Sequence, residues 1–99
     1  MNIELAKISK TTTELTVSGR LDTINAPMLE DKIKEATEDD VDLILDLEKL
    51  TYISSSGLRI LLHAMKMQKQ ADRKFVVNNI NNSIREVFEM TGFLNLMSP

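Results

Sequence analysis

Hydrophobic and polar residues alternate near the start of the chain with the two-residue period of half-buried β-strands. Asn2 to Leu5 shows this alternation, and after a polar turn at residues 11–13 the same period runs from Glu14 to Leu21. Because a short turn joins the two segments, we expect them to pair as an antiparallel hairpin.

Apolar residues at spacings of three and four then predict three helices. The first follows Asn25, which can cap a helix, and ends at the acidic residues 38–40. The second runs from Ser56 to Ala71, and the third from Asn81 or Asn82 to Gly92, a common type of C-terminal stop. The apolar faces consist of Leu29, Ile33 and Ala36 in the first helix, Leu58, Leu61, Leu62 and Met65 in the second, and Ile84, Val87 and Phe88 in the third.

The remaining apolar segments predict further strands. Val41 to Leu47 is the most apolar of them, and its continuous run indicates a central strand buried on both faces. Phe75 to Val77 predicts a short strand, and the run from Phe93 to Met97 predicts a last one. The resulting order is β-β-α-β-α-β-α-β within a single domain of residues 1–99. This order predicts an α/β fold, a mixed four- to five-stranded sheet with helices packed on it.

Length and composition narrow the class of protein. The 99 residues suit one domain, and a hydrophobic content of 42% is enough for a packed core. The absence of cysteine excludes disulfides and thiolate chemistry. No apolar run approaches the roughly 20 residues that span a bilayer, and a net charge of −3 disfavours nucleic acid. We therefore expect a cytoplasmic protein that binds neither a membrane nor nucleic acid.

The serine turn, Ser54 to Gly57, separates the most apolar strand from the second helix. A serine at a helix start accepts a hydrogen bond from an unpaired backbone N–H, so a structural cap accounts for Ser54 or Ser55. A cap needs only one hydroxyl, however, and this turn has three. Open α/β sheets also place functional groups beyond the ends of central strands. A helix N-terminus also tolerates an added phosphate. A structural cap and a modifiable docking site both remain open at this point.

The spacing of the candidate catalytic residues disfavours an enzyme. Ser55 and His63 are eight residues apart in one predicted helix, about 12 Å along its axis and too far for a hydrogen bond. The chain has neither a Gly-x-Ser-x-Gly elbow nor a glycine-rich phosphate loop. His63 is the only histidine and lacks evident metal-binding partners. We therefore expect no catalytic residue, no metal and no cofactor.

Three segments resemble the STAS domain family, and in particular its bacterial anti-sigma factor antagonists. They are Gly19 to Thr23, Asp46 to Leu58 and Val87 to Phe93, in matching order and spacing. The resemblance implies partner switching. The unphosphorylated protein would bind an anti-sigma factor that is also a serine kinase, phosphorylation would release it, and a serine phosphatase would reverse the modification. The alternative is a STAS subunit that is not phosphorylated and docks on another protein, such as a transporter ATPase.

Carried onto this sequence, the resemblance implies Ser55 as the phosphorylation site, with Ser54 and Ser56 as secondary candidates. It implies Gly57 as a small residue that permits close approach, and it places Asp22 in a loop beside the acceptor. Ser54 stands where the family usually has an aspartate, so this site lacks one carboxylate and has one additional hydroxyl.

A second apolar stripe runs along the second helix, roughly opposite its core face, and consists of Ile60, Ala64, Met67 and Ala71. Single exposed apolar residues are common on protein surfaces, so an ordinary surface is one interpretation. The other is that this stripe extends a docking surface from the serine turn along the helix. The predicted partner-binding residues are Asp22, Ser54, Ser55, Ser56, Gly57, Arg59, Ile60 and Met67. The sequence leaves the oligomeric state open.

Overall fold

The computed structural model describes residues 1–93 and confirms an α/β fold with a mixed sheet. Its elements are β1 (Asn2–Lys7), β2 (Thr12–Leu21), α1 (Ala26–Ala36), β3 (Asp42–Asp46), β4 (Leu50–Ile53), α2 (Ser55–Gln70), β5 (Phe75–Asn78) and α3 (Asn82–Thr91). The last predicted strand lies outside the described residues except for Phe93. That residue is buried, and its ring centroid lies 4.8 Å from that of Phe88.

Strand β2 organises the sheet because it is long enough to pair with three other strands. It is antiparallel to β1, parallel to β3 in its first half and parallel to β4 in its second half. The change of partner coincides with Gly19, whose φ of +89° is unfavourable for other residues, and with a register shift before Arg20. Strand β5 adds to the free side of β3.

Strand β4 is absent from the predicted order, because the sequence indicated only a connection between the most apolar strand and the serine turn. Leu47, Leu50 and Ile53 are buried at intervals of three, a spacing that does not match the two-residue period of a strand. These residues nevertheless follow β3 along the chain, and Leu50 pairs with Gly19, next to the register shift of β2.

Strand β3 is buried on one face, which corrects the expectation of burial on both. Leu43 and Leu45 are fully buried, whereas Asp42, Ile44 and Asp46 on the other face are half-buried. The described helices do not seal that second face. A strand with a continuous apolar run can therefore still alternate in burial.

The end of α2 is held to the sheet by a buried glutamine. The amide nitrogen of Gln68 donates to the carbonyl oxygens of Val41 at 2.8 Å and Lys74 at 3.0 Å. These contacts join α2 to the residues that precede β3 and β5. Among residues 1–93 no helix has the length and apolar character needed to cross a membrane.

Candidate functional site

The serine turn begins where the pairing of β2 with β4 ends. The backbone N–H of Ser54 donates to the Leu21 carbonyl at 2.8 Å, which extends the strand pairing by one residue. The Ser54 hydroxyl accepts from the Gly57 N–H at 3.1 Å and so caps α2. Ser54 is only 8% exposed. The capping interpretation is therefore confirmed for Ser54, whose hydroxyl is occupied and mostly hidden.

Ser55 and Ser56 differ in their surroundings. Ser56 is half-buried, and its hydroxyl lies 3.4 Å from that of Thr23 in the loop between β2 and α1. Ser55 is the first residue of α2 and is exposed. Its hydroxyl forms no hydrogen bond with any other residue of the range 1–93. Of the three hydroxyls, that of Ser55 is the one open to another protein.

Gly57 allows α2 to pack directly on the end of β2. A Cβ atom at this position would lie 2.7 Å from Cγ of Leu21 and 3.0 Å from Cγ1 of Ile53, closer than packed atoms tolerate. The close approach at Gly57 is thus to the core of this chain, and the residue is buried. Any contribution of Gly57 to a partner contact stays a prediction.

Asp22 orders the loop beside the turn. Its Oδ1 accepts from the N–H groups of Ile24 and Asn25, both at 3.0 Å. Asn25 precedes α1, but its side chain does not cap that helix, which corrects the expectation from sequence. Instead its Oδ1 accepts from the Asp22 N–H at 2.8 Å and its Nδ2 donates to the Arg20 carbonyl at 2.7 Å. The loop is therefore fixed by its own hydrogen bonds and positions Thr23 against Ser56.

An exposed apolar pair on this side of the molecule escaped the sequence analysis. Ile24 is 91% exposed in the ordered loop, and Met28 follows one turn later at 53%. An isolated isoleucine in a polar loop gives no periodic signal, so only its position in the fold distinguishes it. Both residues lie on the segment that leads from Thr23 into α1.

Helix α2 buries a central line, with α1 along one flank and the end of α3 near the other. The buried residues are Gly57, Leu61, Ala64 and Gln68. The prediction of a core face made of Leu58, Leu61, Leu62 and Met65 is therefore only partly correct, since three of these four residues are half-buried.

The two flanks of α2 carry the remaining predicted site residues. Ile60 is half-buried and Met67 is 53% exposed, and both line a groove against Ile33 and Lys34 of α1. On the other flank, exposed Arg59 shares a groove with Ser55 near the end of α3. The structure thus brings the serine turn, the Asp22 loop and Arg59 together, and places Ile60 and Met67 along an adjoining groove.

This chain is similar to known proteins in both sequence and structure. A family model for the STAS domain matches residues 2–99. The putative anti-sigma factor antagonist BtrV of Bordetella bronchiseptica is 35% identical over 81 residues, which cover 81% of this chain and 70% of that protein. The anti-sigma-B factor antagonist of Staphylococcus aureus is 31% identical over 85 residues, covering 85% of this chain and 79% of that protein.

Solved structures agree on the fold. The anti-sigma factor antagonist SpoIIAA in its unphosphorylated form superimposes with a TM-score of 0.81 at 24% identity, covering 92% of this chain and 81% of that one. An anti-sigma factor antagonist from Mycobacterium paratuberculosis superimposes with a TM-score of 0.82 at 25% identity, covering 93% of this chain and 78% of that one. These relatives are named for antagonism of another protein, in agreement with the expectation of a binding protein rather than an enzyme.

Proposed function

The chain belongs to the STAS domain family, in its anti-sigma factor antagonist group, and we propose that it acts by partner switching at Ser55. In the unphosphorylated state it binds an anti-sigma factor that is also a serine kinase, so that the sigma factor is released. Phosphorylation at Ser55 ends this binding, and a serine phosphatase restores it. The proposal places the protein in the cytoplasm, where sigma factors and ATP are found.

The exposed hydroxyl of Ser55 is the observation that carries this proposal. Ser54 is buried and uses its hydroxyl as the cap, and the Ser56 hydroxyl lies against Thr23. A kinase therefore has direct access to Ser55 without disturbing the start of α2. The geometry favours the same serine that the family resemblance implies.

The proposed modification is an ordinary phosphoryl transfer from ATP. The Ser55 Oγ attacks the γ-phosphorus, and the bond from that phosphorus to the oxygen bridging it to the β-phosphorus breaks. ADP leaves with the electron pair of that bond, and a base of the kinase accepts the hydroxyl proton. The phosphatase step uses water to split the new ester into serine and inorganic phosphate.

Phosphate at Ser55 is compatible with the free domain but costly in an interface. The helix N-terminus offers unpaired N–H groups and the positive end of the dipole. A phosphoserine brings roughly −1.5 to −2 charges. Burying that charge against a partner without a matching cation is expensive, so the complex dissociates while α2 stays folded.

The proposed docking surface surrounds Ser55 at one end of the sheet. The Asp22 loop with Ile24 lies on one side, and Arg59 lies on the other. Ile60 and Met67 extend the surface along the groove beside α1. Ser54 and Gly57 contribute by holding the turn in shape, since both are buried.

Binding and phosphorylation are tested together with an anti-sigma factor kinase of the same organism. We expect Ser55→Asp to weaken binding about a hundredfold, a loss of nearly 3 kcal/mol, as measured by titration calorimetry. Ser55→Ala should bind like the wild type but accept no phosphate in the presence of ATP. Ser56→Ala serves as the matched control, and peptide mass mapping should still locate phosphate on Ser55. Equal affinity of the wild type and Ser55→Asp would contradict the switch.

The second candidate function is that of a STAS subunit which docks without being phosphorylated, for example on a transporter ATPase. Ser54 favours it, because this residue replaces the aspartate that usually precedes the acceptor. Stable binding to such a protein, with no phosphate on the peptide that contains residues 54–56, would support this candidate.

A further inference from the structure

Arg59 lies one helical turn after Ser55 on the same side of α2. Residues four apart on a helix have Cβ atoms about 5–6 Å from each other, and helical side chains lean toward the N-terminus. The Arg59 side chain is therefore long enough to reach a group attached to Ser55. Both residues are exposed, and both line one groove together with Leu58, Leu62, Thr91 and Phe93.

Arg59 has no anionic partner within the part of the chain that the structure describes. The ion pairs there involve Lys32 and Arg73, at other places in the fold. The described residues that share the groove with Arg59 are uncharged. Asp22, in the loop beside the turn, directs its Oδ1 to the backbone of its own loop. A new anion at Ser55 would therefore meet an available cation.

We propose that a phosphate on Ser55 captures Arg59, so that one modification adds an anion to the docking surface and withdraws a cation from it. This inference rests on the proposed phosphorylation of Ser55 and adds a second cause for the release of the partner. An anion followed by a cation four residues later is the favourable order, since it complements the helix dipole. Arginine can also donate two parallel N–H bonds to one phosphate.

The capture changes what the partner encounters. In the unphosphorylated protein the exposed guanidinium of Arg59 is free to pair with a carboxylate on the partner. Once the phosphate holds it, the partner loses that pair and also faces the phosphate itself. The free domain, in contrast, gains a charge-assisted contact across the first turn of α2. The inference therefore predicts that phosphorylation stabilises the helix start while it weakens docking.

The pair can be tested without any kinase by encoding phosphoserine genetically at position 55 of the full chain. Phosphorus NMR then follows the second ionisation of the phosphate, whose pKa is ordinarily about 6. We expect Arg59→Gln to raise this pKa by about 0.5 unit or more, because an adjacent cation favours the dianion. Arg59→Lys should restore part of the difference.

Lys66→Gln is the matched control for net charge. It removes one positive charge from the same helix, eleven residues after Ser55, roughly 16 Å along the axis. We expect it to leave the pKa of the phosphate unchanged. Equal pKa values in the wild type and Arg59→Gln, or an equal rise in Lys66→Gln, would overturn the capture. If no kinase modifies Ser55, the proposed switch fails, whereas the encoded phosphoserine still decides whether Arg59 is captured.

Discussion

Ser54 and Ser55 are neighbours in the chain, but the end of β4 gives them opposite surroundings. Ser54 still pairs with Leu21 as a strand residue, so its side chain turns under the first turn of α2. Ser55 is the first helical residue and faces outward. Either serine suits a helix start, and propensity alone does not choose between them. The choice depends on how far β4 pairs with β2, which is a tertiary feature.

We expect Ser54→Ala to lower the free energy of unfolding by about 1 kcal/mol, because the Gly57 N–H loses its acceptor at a buried helix start. Urea denaturation monitored by circular dichroism measures the change. Ser55→Ala, at the exposed neighbour, should stay within about 0.5 kcal/mol of the wild type. Similar losses in the two variants would contradict the assignment of the cap to Ser54.

Gly57→Ala should destabilise the protein by about 1–3 kcal/mol, because the added methyl group overlaps Leu21 and Ile53. In an exposed helix the same change would stabilise by about 1 kcal/mol, so the sign of the effect is diagnostic. Leu21→Ala opens the space that the methyl group needs. In that background the further loss caused by Gly57→Ala should be smaller, and purely additive losses in denaturant titrations would count against the predicted overlap.

At the scale of elements, α2 shows why a helix can be predicted more easily than its buried side. The spacing of its apolar residues correctly indicates a helix, but Leu58, Leu61, Leu62 and Met65 do not form its fully buried face. Helix α1 lies along one flank of α2 and the end of α3 near the other, so its half-buried flanks also carry apolar side chains. The buried line even contains Gln68, whose polarity predicts exposure. Gln68 contacts the Val41 carbonyl, 27 residues away in the chain, and a local pattern does not reveal such a contact.

Gln68→Met removes the two hydrogen bonds of this buried glutamine while keeping a side chain of similar volume. The substitution leaves the carbonyls of Val41 and Lys74 without their donor, and we expect a loss of about 1–3 kcal/mol in unfolding free energy. Gln70→Met, an exposed position on the same helix, provides the control and should change stability by less than about 0.5 kcal/mol. Hydrogen exchange should show faster opening of the end of α2 in Gln68→Met alone. Equal stability of the two variants would show that these hydrogen bonds contribute little.

At the scale of the molecule, the sequence predicted the fold class and the position of the serine turn, and missed features that depend on strand partners. The change of partner at Gly19 divides β2 between β3 and β4, and the end of β2 at Leu21 lies beside the serine turn. Pairing between distant segments leaves no periodic signal in either one. For the same reason the alternating burial of β3 and the position of Ile24 beside the turn emerge only from the assembled sheet.

The assembled fold places the serine turn and the Asp22 loop at one end of β2 and leaves an exposed isoleucine at the other. Ile24 follows β2 and lies next to Thr23, which contacts the serine turn, whereas Ile8 lies in the hairpin turn that precedes β2. Their exposed fractions are 91% and 58%. The ten residues of β2 separate them by roughly 30 Å. The two positions therefore form a matched pair for a surface test.

We expect Ile24→Lys to weaken binding of the unphosphorylated protein to its anti-sigma factor at least tenfold, about 1.4 kcal/mol, since it places a charge where a partner would bury an apolar side chain. Ile8→Lys should leave the affinity unchanged. Both substitutions replace an exposed isoleucine, so neither should alter the thermal unfolding midpoint appreciably. Titration calorimetry with the same partner preparation measures both variants. Loss of affinity in Ile8→Lys but not in Ile24→Lys would move the docking surface to the opposite end of the sheet and contradict the proposal built on Ser55.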